Sequence, residues 1–489
     1  MRKKGIVNLT LIILFFVFSL WLFGKSFGYE NGEFRIARHQ VGDFGLHLGL
    51  IRSFSWGQNI PPQSPFFPGP PLPYHYATDM AAGLLERVGV RIDHALNGIS
   101  VIFFTLLLFL IYNFSNLLFG YSPIQSLIAV VLFLLSSNLT FVTFLKQSTF
   151  AEVWRLPDYI YKGPFDGSVI SIFSTLNPLL NQRHLIVGLA LSLLIFTRIQ
   201  KQKISTIELI LLGILLGILT RIHTLVAFGT AIVVTGMTIY KSRFMILLSV
   251  AFLFALPHLR LFFTNDSRSL VDFFRPGFLA AAPVTIYSWL TFWWQNLGLT
   301  LIFLPIGVFL ANSKQKRVFF SFLLLFILAN IFQFSYRIEH NHSLITMFLI
   351  ISNMFVAYAI MRLPKIWTVM CLFFLTASGI LNLMVVKNDF QYRVADAPKD
   401  TLISWILENT PKDSIFLAPQ NLYDPVVLAG RKNFFGATYY SEVMGYDIEA
   451  RREVAATGKI DDVDYLISTE REVDREPVFT NEKYWVYKL

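Results

Sequence analysis

Acidic and histidine side chains gather in one stretch of the chain, Gly42–Met80, whose sequence is GDFGLHLGLIRSFSWGQNIPPQSPFFPGPPLPYHYATDM. Asp43 and His47 lie four residues apart there, and so do His75 and Asp79. On a helix this spacing places both members of a pair on one face. A carboxylate in such a pair can accept a proton from an incoming hydroxyl group. As an alternative, Asp43 is a helix N-cap that accepts hydrogen bonds from the first backbone N–H groups.

Three predicted elements position these side chains. The segment Asp43–Phe54 is rich in large apolar residues, which predicts a helix that lies along a membrane surface. The segment Gly57–Pro73 contains seven prolines and is predicted to be a stiff, extended loop. The segment Tyr74–Gly89 has apolar residues at helical intervals. Two surface helices joined by a rigid loop would hold both polar pairs over the membrane plane.

The composition of the whole chain indicates a membrane protein. The chain has 489 residues, of which 54% are hydrophobic, and it contains 49 phenylalanines. This composition is far too apolar for an ordinary soluble protein and is typical of a polytopic membrane protein. About eleven apolar stretches approach the length that is needed to cross a bilayer. They are Ile6–Phe23, Leu96–Tyr112, Pro123–Leu145, His184–Thr197, Ile204–Thr220, His223–Tyr240, Phe244–Phe262, Ile286–Ala311, Val318–Phe334, Ser343–Met361 and Ile366–Val386.

The distribution of basic residues predicts the orientation of these spans. Lys and Arg occupy the N-terminal MRKK and the short loops RIQKQK, KSR, NSKQKR and RLPK. Because basic loops stay in the cytoplasm, we predict a plasma-membrane protein with a cytoplasmic N-terminus. The loop 24–95 and the C-terminal region then lie outside the cytoplasm. The same rule explains the net charge of +10, so no nucleic-acid binding is predicted.

A second set of ionisable side chains lies at predicted outer helix ends. The segment LNQRHLIVGL contains Arg183 and His184, and TRIHT contains Arg221 and His223. Several such groups on one face would suit a phosphate or diphosphate, because the guanidinium fork matches phosphate oxygens. Two alternatives stay open: the arginines snorkel to the interface, and the outer loops hold all nine histidines because those loops are longer.

Residues 387–489 predict a small α/β domain. This region has 13 Lys and Arg against 18 Asp and Glu, unlike the basic remainder of the chain. KDTLISWILENT and EVMGYDIEARREVAATG predict helices, whereas DSIFLAP, PVVLAGRKN, DVDYLIST and KYWVYKL predict strands. The region has no glycine-rich nucleotide-binding motif. The single cysteine, Cys371, excludes an internal disulfide and a cysteine-based metal site.

These features together resemble the GT-C superfamily of membrane glycosyltransferases. The shared pattern is an uncleaved first helix, a large outer loop with an acidic residue just past the membrane, many spans and an outer C-terminal domain. The first-loop stretch and the segments LNQRHL, FWWQNLGL and VVLAGRKNFFG are similar to segments of prokaryotic members. The resemblance implies a mainly α, polytopic fold, with a transmembrane domain at 1–386 that includes the outer loop 24–95 and its interfacial helices. It implies a soluble extracytoplasmic α/β domain at 387–489.

The resemblance also implies a reaction. Such enzymes transfer a sugar from a polyprenyl-(di)phosphate donor to a glycan, lipid or protein acceptor of the cell envelope, usually with inversion. By position, Asp43 matches the first-loop acidic residue that they use as a base or to orient the acceptor. The residues predicted to bind the donor phosphate or the substrate carry ionisable side chains. They are Arg183, His184, Arg221, His223, His47, His75 and Asp79, of which the last three are also candidate ligands of a divalent metal ion. The segment RIEHNHS departs from the family pattern of an acidic residue followed by Asn and a basic residue, because it offers Glu339 and Asn341 but no Lys.

Two other functions stay open at the level of the sequence. A transporter or flippase for lipid-linked sugars usually has ionisable groups near the middle of the membrane and internal repeats. Here the charged residues cluster on one face, with Glu208 as an exception, and no repeat is visible. A non-catalytic membrane protein that binds an envelope polymer would tolerate replacement of Asp43, whereas an enzyme that uses this residue as its base would not.

Overall fold

A computed structural model describes residues 2–135, 138–160, 176–201, 203–262, 273–456 and 462–489. Parts of two predicted outer loops, 161–175 and 263–272, lie outside the described residues. The chain divides into two compact units. We call them the helical unit, which comprises Met1–Leu22, Ser100–Pro257 and Asp272–Asp389, and the mixed unit, which comprises Phe23–Ile99, His258–Val271 and Phe390–Leu489. The first-loop segment, which the sequence led us to group with the membrane domain, thus packs in one unit with the C-terminal segment.

The chain is mainly helical (65%) and is an integral membrane protein. The helices that belong wholly or largely to the helical unit account for all eleven apolar stretches. They are α1 (Arg2–Ser26), α4 (Ile92–Phe119), α5 (Pro123–Leu134), α6 (Thr140–Gln147), α7 (Asn177–Asn181), α8 (Arg183–Ile199), α9 (Thr206–Ile222), α10 (Thr224–Thr238), α11 (Phe244–Leu259), α12 (Ile286–Leu297), α13 (Thr300–Leu310), α14 (Ser313–Ile331), α15 (His342–Ile360) and α16 (Lys365–Asn388).

Five of these helical segments are long and apolar enough to cross a membrane, or six if one bent pair is counted as a single span. The prediction that the segment between Ile204 and Tyr240 forms two helices is confirmed, because α9 ends and α10 begins at His223. The exact number of eleven spans stays a prediction. A helix that is shorter than a bilayer crossing can form part of a broken span, so helix length does not by itself give the number of spans.

The stretch Ile286–Ala311 is not the single straight helix that its hydropathy suggests. It forms α12 and α13, whose axes differ by 86°. The helix breaks at Gly298, which has a φ of +48°, a conformation that residues with a Cβ atom rarely adopt. The stretch Pro123–Leu145 is likewise divided, into α5 and α6.

The mixed unit combines short helices with three small sheets. Its helices are α2 (Val41–Ser55), α3 (Ala77–Arg87), α17 (Thr401–Asn409), α18 (Pro425–Leu428), α19 (Thr438–Val443) and α20 (Ile448–Ala456). Its strands are β1 (Phe27–Glu30), β2 (Glu33–Ala37), β3 (Gln63–Ser64), β4 (Phe67–Pro71), β5 (Gln391–Ala395), β6 (Ile415–Leu417), β7 (Lys432–Asn433), β8 (Tyr465–Ser468), β9 (Phe479–Thr480) and β10 (Trp485–Lys488).

Strand pairing joins the first-loop segment to the C-terminal segment. The antiparallel sheet β1-β2-β5 pairs strand 33–37 of the first loop with strand 391–395, and the sheet β7-β6-β8-β10-β9 is formed by the C-terminal segment. Strands β6, β7 and β8 are parallel to one another, whereas β8, β10 and β9 pair antiparallel. The proline-rich loop contains the hairpin β3-β4.

Helix α2 lies in the core of the mixed unit. Every side chain from Phe44 to Ser55 on this helix is buried. Phe44, Leu48 and Ile51 belong to one core cluster, whereas Leu46 and Leu50 belong to a second cluster. A helix that is apolar on all sides packs against protein rather than presenting one face to a membrane surface. This corrects the interpretation of Asp43–Phe54 as an interfacial helix: its apolar residues bury against the C-terminal segment.

Two C-terminal elements also differ from their prediction. PVVLAGRKN forms α18 and the short strand β7 rather than one strand. The helix begins there because the Asp424 side chain accepts a hydrogen bond from the Val426 N–H and because Pro425 fits the first turn of a helix. It ends just before Gly430, which has a positive φ of 76°. EVMGYDIEARRE forms parts of α19 and α20 rather than one helix, and Gly445 has a φ of +77° between them. The predicted helix α17 and the strands β6, β8 and β10 are confirmed.

Candidate functional site

Asp43 lies in the first turn of α2, as the third residue of the helix. The N-cap is Gln40, so the interpretation of Asp43 as the cap is wrong by three residues. A carboxylate in the first turn is still favourable, because the helix N-terminus carries partial positive charge. Asp43 is half-buried, in contrast to the fully buried residues that follow it.

The charge of Asp43 acts on three tyrosines of the mixed unit. Burial raises the pKa of Tyr74, Tyr423 and Tyr440 above the usual tyrosine range, and the negative charge of Asp43 raises each pKa further. All three phenols therefore stay protonated at any physiological pH. They are hydrogen-bond donors in the vicinity of a carboxylate, which is a proton acceptor.

Two of these phenols are bonded to the backbone of the turn that carries Asp43. The Tyr440 hydroxyl donates to the carbonyl of Gly42 at 2.8 Å, and the Tyr423 hydroxyl donates to the carbonyl of Val41 at 2.7 Å. Gly45, one turn along α2, allows this approach, because a Cβ atom there would overlap with a backbone carbonyl of the C-terminal segment. The first turn of α2 is thus attached to two tyrosines that follow it by about 380 to 400 residues.

The second polar pair is formed across two helices. His47 on α2 places Nδ1 at 3.0 and 3.2 Å from the carboxylate oxygens of Asp79, in the first turn of α3. Their side chains are 4% and 2% exposed. The predicted helical pairing of His75 with Asp79 is wrong, because α3 begins at Ala77 and His75 precedes it. The His75 ring packs against that of Tyr74, with ring centroids 3.8 Å apart and the ring planes tilted by 32°.

A buried ion network occupies the other end of α2. The Arg52 guanidinium lies 2.6 Å from a carboxylate oxygen of Asp396 and 3.5 Å from one of Glu86, and it packs over the ring of Trp56. Ser55 donates a hydrogen bond of 2.6 Å to Glu86. Burial raises the pKa of both carboxyl groups, and the charge of Arg52 opposes this shift. This network connects α2, α3 and the segment after β5, and its position points to a structural role.

In the helical unit, a second cluster gathers around the break between α9 and α10. The rings of His184 and His223 have centroids 5.2 Å apart, and both side chains are buried. His223 Nδ1 accepts a hydrogen bond from the backbone N–H of Val226, so in the neutral ring Nε2 carries the proton. Nε2 lies 3.4 Å from the Ser343 hydroxyl at the start of α15. Arg183, next to His184, is 1% exposed, and its Nε donates to the carbonyl of Leu180.

Arg221 does not join this cluster through its own contacts. Its guanidinium donates to the carbonyl of Phe254 on α11 at 3.1 Å. It lines an open groove of about 420 Å³ with Ile218, Leu253, Phe254 and Pro257. Of the residues predicted to bind phosphate, the structure therefore brings the rings of His184 and His223 together, with Arg183 next to His184 in the chain, and turns Arg221 toward α11.

No group of three or more His, Cys, Asp or Glu side chains is arranged to hold a metal ion among the residues that the structure describes. The buried pair of His47 and Asp79 supplies two such groups. A divalent ion at this pair stays a prediction from the sequence.

The sequence did not indicate three partners of the candidate site. Tyr423 and Tyr440 have no motif that relates them to Asp43, and Ser343 precedes an apolar helix like many other serines. One signal was available: Gly45 and Gly49, four residues apart on α2, mark a face on which another segment can approach closely. The backbone carbonyl of Leu422 and the side chain of Val427 lie against these glycines.

Comparisons with known proteins give a match in fold. No protein-family model matches the chain, and no curated protein matches its sequence. The oligosaccharyltransferase AglB from Archaeoglobus fulgidus, solved with an inhibitory peptide and a dolichol-phosphate, superposes with a TM-score of 0.50 at 12% identity, over 96% of this chain and 70% of AglB. ArnT from Cupriavidus metallidurans, bound to undecaprenyl phosphate, gives a TM-score of 0.49 at 10% identity, over 100% of this chain and 98% of ArnT.

AglB and ArnT are both membrane glycosyltransferases of the GT-C superfamily. The superposition on AglB extends over nearly the whole chain, and it includes the first-loop segment and the C-terminal segment. At this low identity the match concerns the fold. The chain therefore has a fold similar to that of AglB, which agrees with the fold that its resemblance to the GT-C superfamily predicted.

Proposed function

We propose that this protein is a membrane glycosyltransferase that moves a sugar from a polyprenyl-(di)phosphate donor to an acceptor on the extracytoplasmic side. The observation that carries the proposal is the setting of Asp43. Asp43 is an acidic residue of the first loop and is half-buried at a helix N-terminus. Its charge acts on tyrosines that stay protonated, and the chain has a GT-C-like fold.

In this reaction Asp43 accepts the proton of the acceptor. The nucleophilic oxygen or nitrogen of the acceptor forms a bond to the anomeric carbon of the sugar, while the bond from that carbon to the lipid phosphate oxygen breaks. The acceptor proton passes to the Asp43 carboxylate, and the electron pair of the broken bond stays on the lipid phosphate. A single displacement of this kind inverts the anomeric configuration.

The neighbours of Asp43 support its role as the proton acceptor. A phenol whose pKa lies above its usual range does not take up a proton near neutral pH, because it already carries one. The carboxylate is therefore the basic group of this cluster. General-base catalysis by a positioned side chain contributes about 100- to 10,000-fold to a rate.

The departing phosphate needs positive charge or hydrogen-bond donors. The contact of His184 with His223, the neighbouring Ser343 hydroxyl and the buried Arg183 next to His184 in the chain support one candidate set of such groups. We propose this group as the phosphate-binding residues of the helical unit, as an assignment separate from that of Asp43. Arg183→Gln is expected to raise the KM for the donor about tenfold, because a charged hydrogen-bond donor is lost.

The first test is transfer of radiolabelled sugar from a panel of polyprenyl-phosphate sugars to acceptors extracted from membranes. Wild type is compared with Asp43→Asn, and Asp413→Asn serves as the control because Asp413 is an exposed carboxylate of the mixed unit. We expect transfer by wild type and by the control, and loss of transfer by Asp43→Asn.

Other outcomes separate the alternatives. Equal transfer by all three proteins would support the enzyme class and remove Asp43 from the chemistry. If no protein transfers sugar from any donor, the transporter and polymer-binding functions become the better explanations. Movement of labelled lipid across proteoliposomes then separates these two.

A further inference from the structure

The C-terminal segment contacts the turn of α2 that carries Asp43 at three points. The hydroxyls of Tyr423 and Tyr440 bond to successive backbone carbonyls of this turn, at 2.7 and 2.8 Å. The third point is Gly45, which lies against the carbonyl of Leu422 and the Tyr440 hydroxyl. A Cβ atom added at Gly45 would be only 2.5 Å from this hydroxyl oxygen. We call the two tyrosines and the carbonyls of Val41 and Gly42 the tyrosine clamp.

We propose that the tyrosine clamp positions the Asp43 carboxylate for proton transfer, so that Tyr423 and Tyr440 are positioning residues of the reaction. This inference rests on the proposed function for its catalytic half. Its structural part, that the C-terminal segment holds this turn in place, rests on the two hydrogen bonds from Tyr423 and Tyr440.

The carbonyls of a first helical turn can accept these bonds without loss of the helix. Each carbonyl oxygen has two lone pairs, one for the helical N–H four residues later and one for a phenol. Each bond fixes the backbone of the turn directly. Two bonds on adjacent carbonyls restrict both the translation and the rotation of the turn.

The clamp is also insensitive to pH. Burial and the charge of Asp43 hold the pKa of both phenols above their usual range, so neither bond is lost by ionisation below strongly alkaline pH. The Asp43 carboxylate can therefore change its protonation state during each turnover while its backbone support stays unchanged.

Packing along α2 extends the same attachment. Gly49, one turn beyond Gly45, lies against Val427 of α18 and the ring of Phe66. A face of α2 made of glycines at four-residue spacing brings the C-terminal segment to the backbone of the helix. The C-terminal segment is thus part of the candidate site rather than an accessory that follows it.

The test uses the full-length protein in nanodiscs and two substitutions that keep the rings, Tyr423→Phe and Tyr440→Phe, alone and together. Tyr29→Phe is the control, because the Tyr29 hydroxyl donates a bond of 3.2 Å to the carbonyl of Ala397 and lies beside Asp396, whose partner Arg52 is at the opposite end of α2 from Asp43. Amide hydrogen exchange of the peptide 41–47 measures the support of the first turn. Steady-state transfer measures kcat and KM.

We expect each single substitution to speed exchange in 41–47 about fivefold and to lower kcat about fivefold with little change in KM, since a buried hydrogen bond is worth about 1 kcal/mol. The double substitution should lower kcat about 10- to 25-fold. Tyr29→Phe should leave both quantities for the first turn unchanged. Its own exchange effect should appear near residue 397.

Three results would overturn the inference in different ways. Unchanged exchange in 41–47 would show that the clamp does not hold the turn. Faster exchange with unchanged kcat would show that the turn is held but that catalysis does not depend on it. Absence of transfer by wild type from every donor would remove the proposed function and the positioning role with it, while the exchange data would still decide whether the clamp exists.

Discussion

The two ends of α2 both carry charge, but they place it in opposite surroundings. At the C-terminal end, Arg52 is fully buried and is neutralised by the carboxylates of Asp396 and Glu86. At the N-terminal end, Asp43 is half-buried beside phenols that are all donors. A buried charge with its counter-charges serves packing and specificity, whereas a carboxylate that keeps contact with solvent and donors can exchange a proton. We therefore propose that the C-terminal end of α2 has a structural role and that the N-terminal end, with Asp43, takes part in the reaction.

The largest expected effect is at the structural end. Arg52→Met leaves two buried carboxylates without their cation, and removal of one partner of a buried ion pair costs about 3–5 kcal/mol. We expect the thermal midpoint in detergent to fall by about 10 °C or more, and the yield of monodisperse protein to fall with it. Arg393→Met, at an exposed pair with Glu33, is the control and should shift the midpoint little. An unchanged midpoint for Arg52→Met would contradict the structural role.

At the chemical end the opposite pattern is expected. Asp43→Asn keeps the shape of the side chain and removes its basicity, so transfer should fall at least about 100-fold. Its thermal midpoint should stay close to that of wild type, because the residue is half-buried and does not cap the helix. A large loss of stability with proportional loss of transfer would make Asp43 another structural residue, and the comparison of the two ends would fail.

His47, which pairs with Asp79, lies on α2 between Asp43 and Arg52. Its substitution tests how far along α2 the structural part extends. Asp79→Asn removes the charged acceptor of a buried imidazole, at an expected cost of about 1–3 kcal/mol in unfolding free energy. Because the two residues are in contact, the cost of the double variant His47→Phe/Asp79→Asn should be clearly less than the sum of the single costs. Additive costs in a double-mutant cycle would show that the pair does not interact in the folded protein.

The smallest expected effect concerns a third carboxyl group, Asp424, which caps α18. Burial raises its pKa from 3.8 to about 6, so the folded state binds this proton more tightly than the unfolded state does. Between these two values the folded protein holds more protons, and its stability therefore falls as the pH rises. From pH 5 to pH 7 the loss from this group is about 1 kcal/mol.

The measurement is unfolding free energy against pH for wild type and Asp424→Asn. The variant cannot ionise, so its profile should lack this fall between pH 5 and pH 7. Parallel profiles for both proteins would assign the pH dependence to other groups.

Several features of the fold followed from local sequence signals. The apolar stretches predicted helices at all eleven places, and TRIHT predicted the break at which His223 caps α10. The apolar residues of Asp43–Phe54 predicted α2 itself, although not its surroundings. These signals act within one or two turns of the chain, through hydropathy, capping and backbone conformation, so a sequence displays them directly.

The partners within the site did not follow from such signals. His47 pairs with Asp79 on another helix, and α2 buries its apolar residues in protein rather than in a membrane surface. Both outcomes depend on which distant segments fold against α2. The i, i+4 spacing shows that two side chains can share a face, but a third residue from elsewhere can approach either of them more closely.

By itself the sequence determined that this protein resides in a membrane, where its helices lie, and which carboxylate of its first loop is the candidate base. Only the tertiary structure decided what holds the helical turn that carries that carboxylate, namely two tyrosine hydroxyls that follow Asp43 by about 380 and 397 residues. The physical reason is the range of the interactions. Hydrophobic length and helix periodicity are properties of neighbouring residues, whereas a hydrogen bond between remote residues exists only once the glycine face of α2 and the C-terminal segment have packed together.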